Sequence, residues 1–357
     1  MEEWKEYKLG DVVNILDYKR VPLSSKERST RKGHYPYYGA QGIIDYIDDY
    51  IFDGTYLLIA EDGENLKSQK QNVAQLASGK YWVNNHAHIV ESNGKSDIRF
   101  ICYFLNMMDL SGYITGSAQP KLNQANLTSI SLQLPSLRIQ KKIADFLSVF
   151  DDKIEVNRRI NDNLEKQAQT IFDSMFPSIT SGEDEIGSII TPKRGKGLLS
   201  KDAVDGDVPV IAGGLEPATF HNEANTKAPV VTISASGANA GFVNLWQIPV
   251  WSSDSSFIDS TMTEDVYFWY VMLRKRQKEI FDAQTGSAQP HIYPKHIAEM
   301  PLGKFEQTDV EKFTEIVTPM FEIRGRNLKE SERLASIRDT LLPKLMSGEL
   351  KLENINM

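Results

Sequence analysis

Thr115-Gly116-Ser117-Ala118-Gln119-Pro120 returns, residue for residue, as Thr285-Gly286-Ser287-Ala288-Gln289-Pro290, 170 positions later in a chain of 357 residues. Six identical residues at half-chain spacing mark a duplication. The period is far too long for a solenoid repeat, so the unit is a whole domain. Shorter echoes extend the match. Leu9-Gly10-Asp11-Val12-Val13 resembles Ile186-Gly187-Ser188-Ile189-Ile190, and Pro36-Tyr37-Tyr38-Gly39-Ala40 resembles Pro209-Val210-Ile211-Ala212-Gly213. Tyr56-Leu57-Leu58-Ile59-Ala60, with Gly63 and Asn65 beyond it, parallels Val230-Val231-Thr232-Ile233-Ser234, with Gly237 and Asn239. Trp82 falls where Trp251 does.

Each repeat changes period as it runs. Its first ~130 residues hold short β-branched and aromatic runs broken by Gly, Pro, Asn and Asp, the pattern of short strands and loops. A helical period follows. Ile143, Leu147, Phe150, Ile154, Asn157, Asn161, Leu164, Ala168, Ile171 and Met175 alternate steps of four and three, a heptad seam. The equivalents 170 positions on are Phe313, Val317, Met320, Arg324, Asn327, Ser331, Leu334, Arg338, Leu341 and Leu345. Each seam needs an apolar partner, and the two are expected to pair as an antiparallel coiled coil within one chain. Asn157 and Asn327, at equivalent seam positions, would fix its register. The alternative is that each helix packs on its own domain alone. Pro177 should end the first helix, and Pro343 should kink or end the second. The apolar seams also predict that lone half-chains would self-associate. The expected fold class is therefore α+β. Two pseudo-symmetric α/β domains carry irregular sheets, and two long antiparallel helices separate them. The expected bounds are 1–136 and 179–304 for the domains, 137–178 for the first helix, and 305–357 for the second helix with its tail.

The net charge of −8 does not advertise a nucleic-acid binder, but charge is unevenly placed. Lys19, Arg20, Lys26, Arg28, Arg31 and Lys32 face only Glu27 within their stretch, and Lys193, Arg194, Lys196 and Lys201 face no acid. Both clusters sit at matching places in the repeats, while acids such as Asp45, Asp48, Asp49 and Asp53 gather elsewhere. A locally basic face on an acidic protein can still dock phosphate; a solvated loop is the competing reading. With Cys102 as the only cysteine, neither an internal disulfide nor a cysteine-based zinc site is expected. The charged start Met1-Glu2-Glu3-Trp4-Lys5 lacks a signal-peptide core, and no apolar run reaches the ~20 residues of a membrane span, so a cytoplasmic location without membrane contact is expected.

Catalytic signatures are missing from both repeats: phosphate loops, dinucleotide fingerprints, nucleophile elbows and the aromatic motif of amino-methyltransferases. His86-Ala87-His88 has a spacing that would put both rings on one side of a strand, but its counterpart Ser255-Ser256-Phe257 has no histidine, so no metal site is expected. Shared segments read as scaffold. Divergent ones, Glu61 to Tyr81 against Ala235 to Val250 and Asn84 to Ile89 against Ser253 to Ile258, read as specialised surfaces.

The opening Trp4-Lys5-Glu6-Tyr7-Lys8-Leu9-Gly10-Asp11, the paired Gly-Ser-Ala-Gln segments, the helix entry Leu134-Pro135-Ser136-Leu137-Arg138-Ile139-Gln140-Lys141-Lys142-Ile143 and the closing Leu341-Leu342-Pro343-Lys344-Leu345-Met346-Ser347-Gly348-Glu349-Leu350 resemble the specificity subunit of type I restriction-modification systems. Phe305-Glu306-Gln307 and the polar seam residues Arg324 and Arg338 depart from that pattern. The resemblance implies a non-catalytic DNA reader. Two target-recognition domains would each read half of a split sequence in double-stranded DNA, held apart by a helical ruler. The partners implied are two modification methyltransferase subunits and restriction translocase/nuclease subunits. S-adenosylmethionine, ATP and Mg would belong to those partners, with no cofactor in this chain. A type II-like specificity subunit and a coiled-coil interaction scaffold without DNA contact are the alternatives.

Candidate phosphate contacts are Lys19, Arg20, Arg28, Arg31 and Lys32 in the first repeat and Lys193, Arg194 and Lys196 in the second. Ser117, Gln119 and Lys121, with Ser287, Gln289 and His291, follow a glycine where backbone can approach phosphate; a turn joining reader to helix is the equal alternative. Asn65, Asn84, Asn85, His86, Ser236 and Asn239 are candidates for base edges. Trp82 and Trp251 read as core.

Overall fold

The computed structural model describes residues 4–116, 119–286 and 289–352. Four helices of ten residues or more occur among them: α1 (Ile98–Met107), α2 (Leu137–Met175), α3 (Val266–Lys275) and α4 (Gln307–Met346). The chain divides into two units, one formed by residues 1–152 with 334–357 and the other by residues 153–333. Both long helices therefore contribute to both units.

In the first unit, Lys5–Lys8 pairs antiparallel with Ser131–Leu134, tying the start of the repeat to its end. A four-stranded antiparallel sheet runs in the order Val13–Ile15, Ala87–Ser92, Tyr56–Ala60, Ala74–Ala77. Its central run is apolar throughout because both faces are covered. Leu57 and Ile59 join the core with Phe100 and Ile101 of α1, while Leu58 points into a second cluster with Phe52, Tyr81 and Ile89. A second sheet, Gly42–Ile47, Lys32–Gly39, Lys80–Val83 and Phe52–Asp53, contains one parallel step that sets Tyr37 opposite Trp82. Helix α1 begins at Asp97, whose carboxylate accepts from the Arg99 and Phe100 amides.

The second unit repeats this plan. Asp184–Glu185 pairs with Pro301–Leu302. Lys193–Arg194, Ser255–Asp259, Val230–Ser234 and Val243–Trp246 form the antiparallel sheet. Thr219–His221, Val208–Ile211 and Trp251–Ser252 form the other, with the parallel step setting Val210 opposite Trp251. Helix α3 is buried from Val266 through Leu273.

Within the second unit α2 and α4 run antiparallel, since partners on α4 fall in number as those on α2 rise. Asn157 Nδ2 donates to Glu330 Oε2 at 2.8 Å and to the Asn327 carbonyl at 3.4 Å, Asn327 Nδ2 donates to Asn161 Oδ1 at 2.9 Å, and Arg324 pairs with Glu165 at 2.9 Å. Asn157 is fully buried, the position of a register-fixing polar residue. In the first unit Ile143 and Leu147 of α2 share a core with Leu345 of α4, and Arg338 pairs with Asp151. Helix α2 stops at Met175, before Pro177, as the sequence reading expects. The reading that Pro343 could end α4 does not hold, because the helix continues to Met346, with Leu345 and Met346 buried. Pro319 also lies inside α4, flanked by buried Val317 and Phe321. Packing outweighs the roughly 3 kcal/mol that an interior proline costs a free helix. Among the described residues no helix is long and apolar enough to cross a membrane.

Candidate nucleic-acid interface

In the first unit the basic stretch is an ordered structure. Ser24 caps the short helix Ser25–Thr30, accepting from the Glu27 amide while the Glu27 carboxylate accepts from Ser24. That helix lays Arg28 and Arg31 against the hairpin of residues 32–47. Arg28 pairs with Asp45 at 3.2 Å and lies 5.1 Å from the Tyr37 ring centre. Arg31 pairs with Asp48 at 2.9 Å and lies 5.0 Å from the Trp82 ring. Lys32 reaches Asp45 at 2.6 Å. The hydrogen bond from Lys32, with those from the Tyr46 amide and Arg28, holds the Asp45 carboxyl below its ordinary range. The sequence reading, which puts these acids away from the cations, is corrected: the hairpin register sets Tyr37 opposite Asp45 and folds Asp45 back onto the basic helix. Lys19 is exposed, 5.8 Å from the ring of the exposed Tyr18.

Arg20 enters a different cluster. It bonds Glu61 at 2.7 Å, Asp17 at 3.3 Å and the Ala87 carbonyl at 2.9 Å. Lys121 reaches Glu61 at 3.1 Å. His88, 1% exposed, lies 2.5 Å from Asp17 Oδ2 through Nδ1 and 2.7 Å from the Leu122 carbonyl through Nε2. The ring is thus held at both nitrogens by oxygen atoms of the protein. Burial alone would raise the carboxyls of Asp17 and Glu61. Hydrogen bonds from His88 and the Ile89 amide to Asp17, and from Arg20 and Lys121 to Glu61, overcome it and leave both below their ordinary values. Asp17, Glu61 and His88 are close enough together to suggest a metal site. Two cations, Arg20 and Lys121, already pair with the two carboxylates, so the cluster carries little surplus negative charge to draw one. The sequence reading passed over Asp17, Glu61 and His88 as a unit because they lie on separate segments; the one local signal is Asp17-Tyr18-Lys19-Arg20.

The duplicated hexapeptide closes onto this cluster. Thr115 and Lys121 exchange backbone hydrogen bonds at 2.8 Å, the Gly63 amide donates to the Pro120 carbonyl at 3.2 Å, and Gly116 adopts φ +84°. A left-handed turn of this kind suits glycine. Gln119 is exposed beside it. His86 is half-exposed, bonds Asp62 at 2.7 Å and takes its backbone shape from the buried Asn84, whose side-chain oxygen accepts from the His86 amide at 2.8 Å. Asn85 is exposed next to it. Asn65 is buried, its amide group bonding both ways with Gln71 to shape the loop after it. Arg20, Lys121, Asn85 and His86 thus flank one ionic cluster, whereas Arg28, Arg31 and Lys32 sit on the hairpin.

The second unit keeps the frame and changes the groups. Thr285 and His291 exchange the same backbone bonds at 2.8 and 3.0 Å, and the Gly237 amide donates to Pro290 at 3.1 Å. Ser236 bridges to His291, while Gln289 is exposed and Asn239 half-buried. Arg194 pairs with Asp254 at 2.6 Å, and Asp254 also accepts from the Ser236 hydroxyl. Lys193 is exposed. Lys196 lies 5.9 Å from the Trp251 ring, and its carbonyl accepts from the Trp251 indole at 2.8 Å. The core reading holds for Trp82, 6% exposed, but only partly for Trp251, which is half-buried. Ser117 and Ser287 lie outside the described residues.

Fold and site together define a class: a duplicated α/β protein with a long helix closing each repeat and a charged loop cluster at the same place in both. Residues 1–166 match the family described as the Type I restriction modification DNA specificity domain. Across 290 residues the chain is 28% identical to the MjaIX type I restriction enzyme specificity subunit of Methanocaldococcus jannaschii, covering 70% of this chain and 66% of that protein. Across 145 residues it is 38% identical to a putative type I restriction enzyme specificity subunit of Haemophilus influenzae, covering 41% of this chain and 36% of that one. The matched part thus spans just over a third of the one relative and just under two thirds of the other. The crystal structure of a type I restriction-modification S subunit from M. genitalium superposes with a TM-score of 0.58 at 21% identity, covering 96% of both chains, and shares the fold. The chain resembles type I specificity subunits.

Proposed function

We propose that this chain is the non-catalytic DNA-reading subunit of a type I restriction-modification complex. Each unit reads one half of a bipartite duplex target, and the long helices set the unread gap and dock two methyltransferase subunits, which restriction translocase/nuclease subunits can join. The reading domains span residues 1–136 and 179–304, and the spacer helices with the C-terminal tail span 137–178 and 305–357. S-adenosylmethionine, ATP and Mg are supplied to the partners. The observation that carries the reading is the matched pair of loop clusters, each with a hexapeptide turn closed on the same glycine and a basic loop pinned by the same tryptophan.

Duplex DNA offers equivalent faces about every 34 Å, which two like readers on one chain can use. Lys19, Arg20, Arg28, Arg31, Lys32 and Lys121 in the first unit, with Lys193, Arg194 and Lys196 in the second, are assigned to phosphate. Ser117, Gln119, Ser287, Gln289 and His291 are assigned to the backbone approach, and Asn65, Asn85, His86, Ser236 and Asn239 to base edges. The buried side chain of Asn65 acts through the loop it shapes. The chain works in the cytoplasm.

Methylome sequencing tests this. A split adenine-methylated motif that vanishes when the gene is deleted, together with retardation of a duplex carrying that motif by the chain plus its methyltransferase partner, is the expected result. Methylation unchanged by the deletion would refute it.

A further inference from the structure

Arg324 and Arg338 break the apolar seam of α4, and the structure gives both the same kind of partner. In the second unit Arg324 pairs with Glu165 of α2 at 2.9 Å, and Glu165 also accepts from the Tyr270 hydroxyl of α3 at 2.6 Å. In the first unit Arg338 pairs with Asp151 of α2, and Asp151 also accepts from the Tyr103 hydroxyl of α1. Tyr103 and Tyr270 occupy corresponding helices of the two repeats. The duplication would be expected to make the two long helices interchangeable, but the charges are not: α2 supplies the acid in both units and α4 the arginine in both.

The consequence follows from the repeat offset of 170. The α2 residues at the places of Arg324 and Arg338 are Ile154 and Ala168. The α4 residues at the places of Asp151 and Glu165 are Phe321 and Ala335. If α2 paired with a second α2 in the same register, each carboxylate would face Ile154 or Ala168. If α4 paired with a second α4, each guanidinium would face Phe321 or Ala335. A half-buried charge turned from its opposite charge onto an apolar seam is unfavourable, with Arg338 keeping only its neighbour Asp339, and polar seam residues are the usual means of choosing a coiled-coil partner. We infer that the seam is a polarity code that admits only α2 on α4, so a second copy of this chain can associate through the seam only by reciprocal exchange, α2 of one chain on α4 of the other. This refines the expectation that half-chains would self-associate, and it does not depend on the DNA reading.

The test uses the full chain. One variant carries Asp151→Arg and Glu165→Arg, so arginines face arginines in both units. A second carries Arg324→Glu and Arg338→Asp, so acids face acids. Each alone should melt about 5 °C or more below the parent. Co-expressed, each offers the other both matched seams, and light scattering should find a 1:1 dimer at twice the monomer mass. A chain with all four exchanges should return to a monomer melting near the parent. Parental melting of the two-site variants, absence of the mixed dimer, or a four-site chain as unstable as the two-site ones would each overturn the code. Co-expression reads out even if a two-site variant does not fold alone.

Discussion

Trp82 donates its indole N–H to the carbonyl oxygen of Val21 at 2.6 Å, fastening the segment that carries Lys19 and Arg20 to the strand that pairs in parallel with Tyr37. Trp251 does the same to Lys196 at 2.8 Å in the other unit. A lost buried hydrogen bond costs roughly 1 kcal/mol. Trp82→Phe keeps most of the ring and removes the donor, so it should lower the stability of its unit by about 1–2 kcal/mol. Amide exchange from Lys19 to Leu23 should also speed up. Trp251→Phe should cost less, because that ring is half-exposed and water can replace the partner. Denaturant titration with site-resolved exchange checks both; unaltered exchange at Lys19 to Leu23 in the first variant would show that the bond holds nothing.

The Asp17–Glu61–His88 cluster makes the first unit acid-sensitive. Both carboxyls sit below their ordinary values of 3.8 and 4.5 in the folded state. A depressed folded value means the unfolded chain takes up protons first as pH falls. The stability these groups give is therefore complete above about pH 5, starts to fall near 4.5 and is gone once pH passes below the folded values. Melting measured from pH 6 down to 3 should show this slope, and Glu61→Gln should flatten it while lowering stability at pH 6. A slope that is unchanged in Glu61→Gln would assign the acid response to other groups.

Much of this was legible in the sequence, for identifiable reasons. The hexapeptide is legible because it is local and exact, and in both repeats it closes the same way, with the Gly63 or Gly237 amide donating to its proline carbonyl. The heptad seam is local in sequence, so Ile143, Leu147 and Asn157 could be placed on one face from spacing alone. The pairing of Asp45 with Arg28 and Lys32 could not, because it depends on a hairpin register that composition does not carry. The same holds for Asp17, Glu61 and His88, which are distant in sequence and meet only through the order of strands in one sheet. Arg324 and Arg338 looked like defects because a seam read on one helix shows charges without their partners.

Asn157 is fully buried and bonds Asn327, Glu330 and Ser331 across the seam. Replacing it by leucine removes a desolvated amide and adds apolar packing. A polar residue at a seam position specifies register at a cost in stability, so its removal recovers stability while the register is lost. Asn157→Leu should therefore melt at or above the parent temperature, yet yield a broader distribution of oligomers by light scattering. A single monomeric species at every concentration would mean that the charged pairs alone fix the register.

Asp45 gives the sharpest test of whether the hairpin of the first unit meets phosphate. It pairs with Arg28 and Lys32 together, and its side chain is only 18% exposed. Asp45→Asn keeps the shape and releases both cations. If the hairpin face lies against DNA, the variant should bind duplex more tightly, and the slope of log affinity against log salt should steepen by up to about two for two freed charges. Charge reversal at Arg28, Arg31 and Lys32 should do the opposite, weakening all sequences alike and reducing that slope by about one for each phosphate left without its cation. Affinity that ignores both changes, in a complex that still binds through Lys19, Arg20 and Lys121, would move the phosphate track off the hairpin and onto the ionic cluster beside the hexapeptide. Lys121→Ala, which frees one side of Glu61, would then become the variant that alters the salt slope.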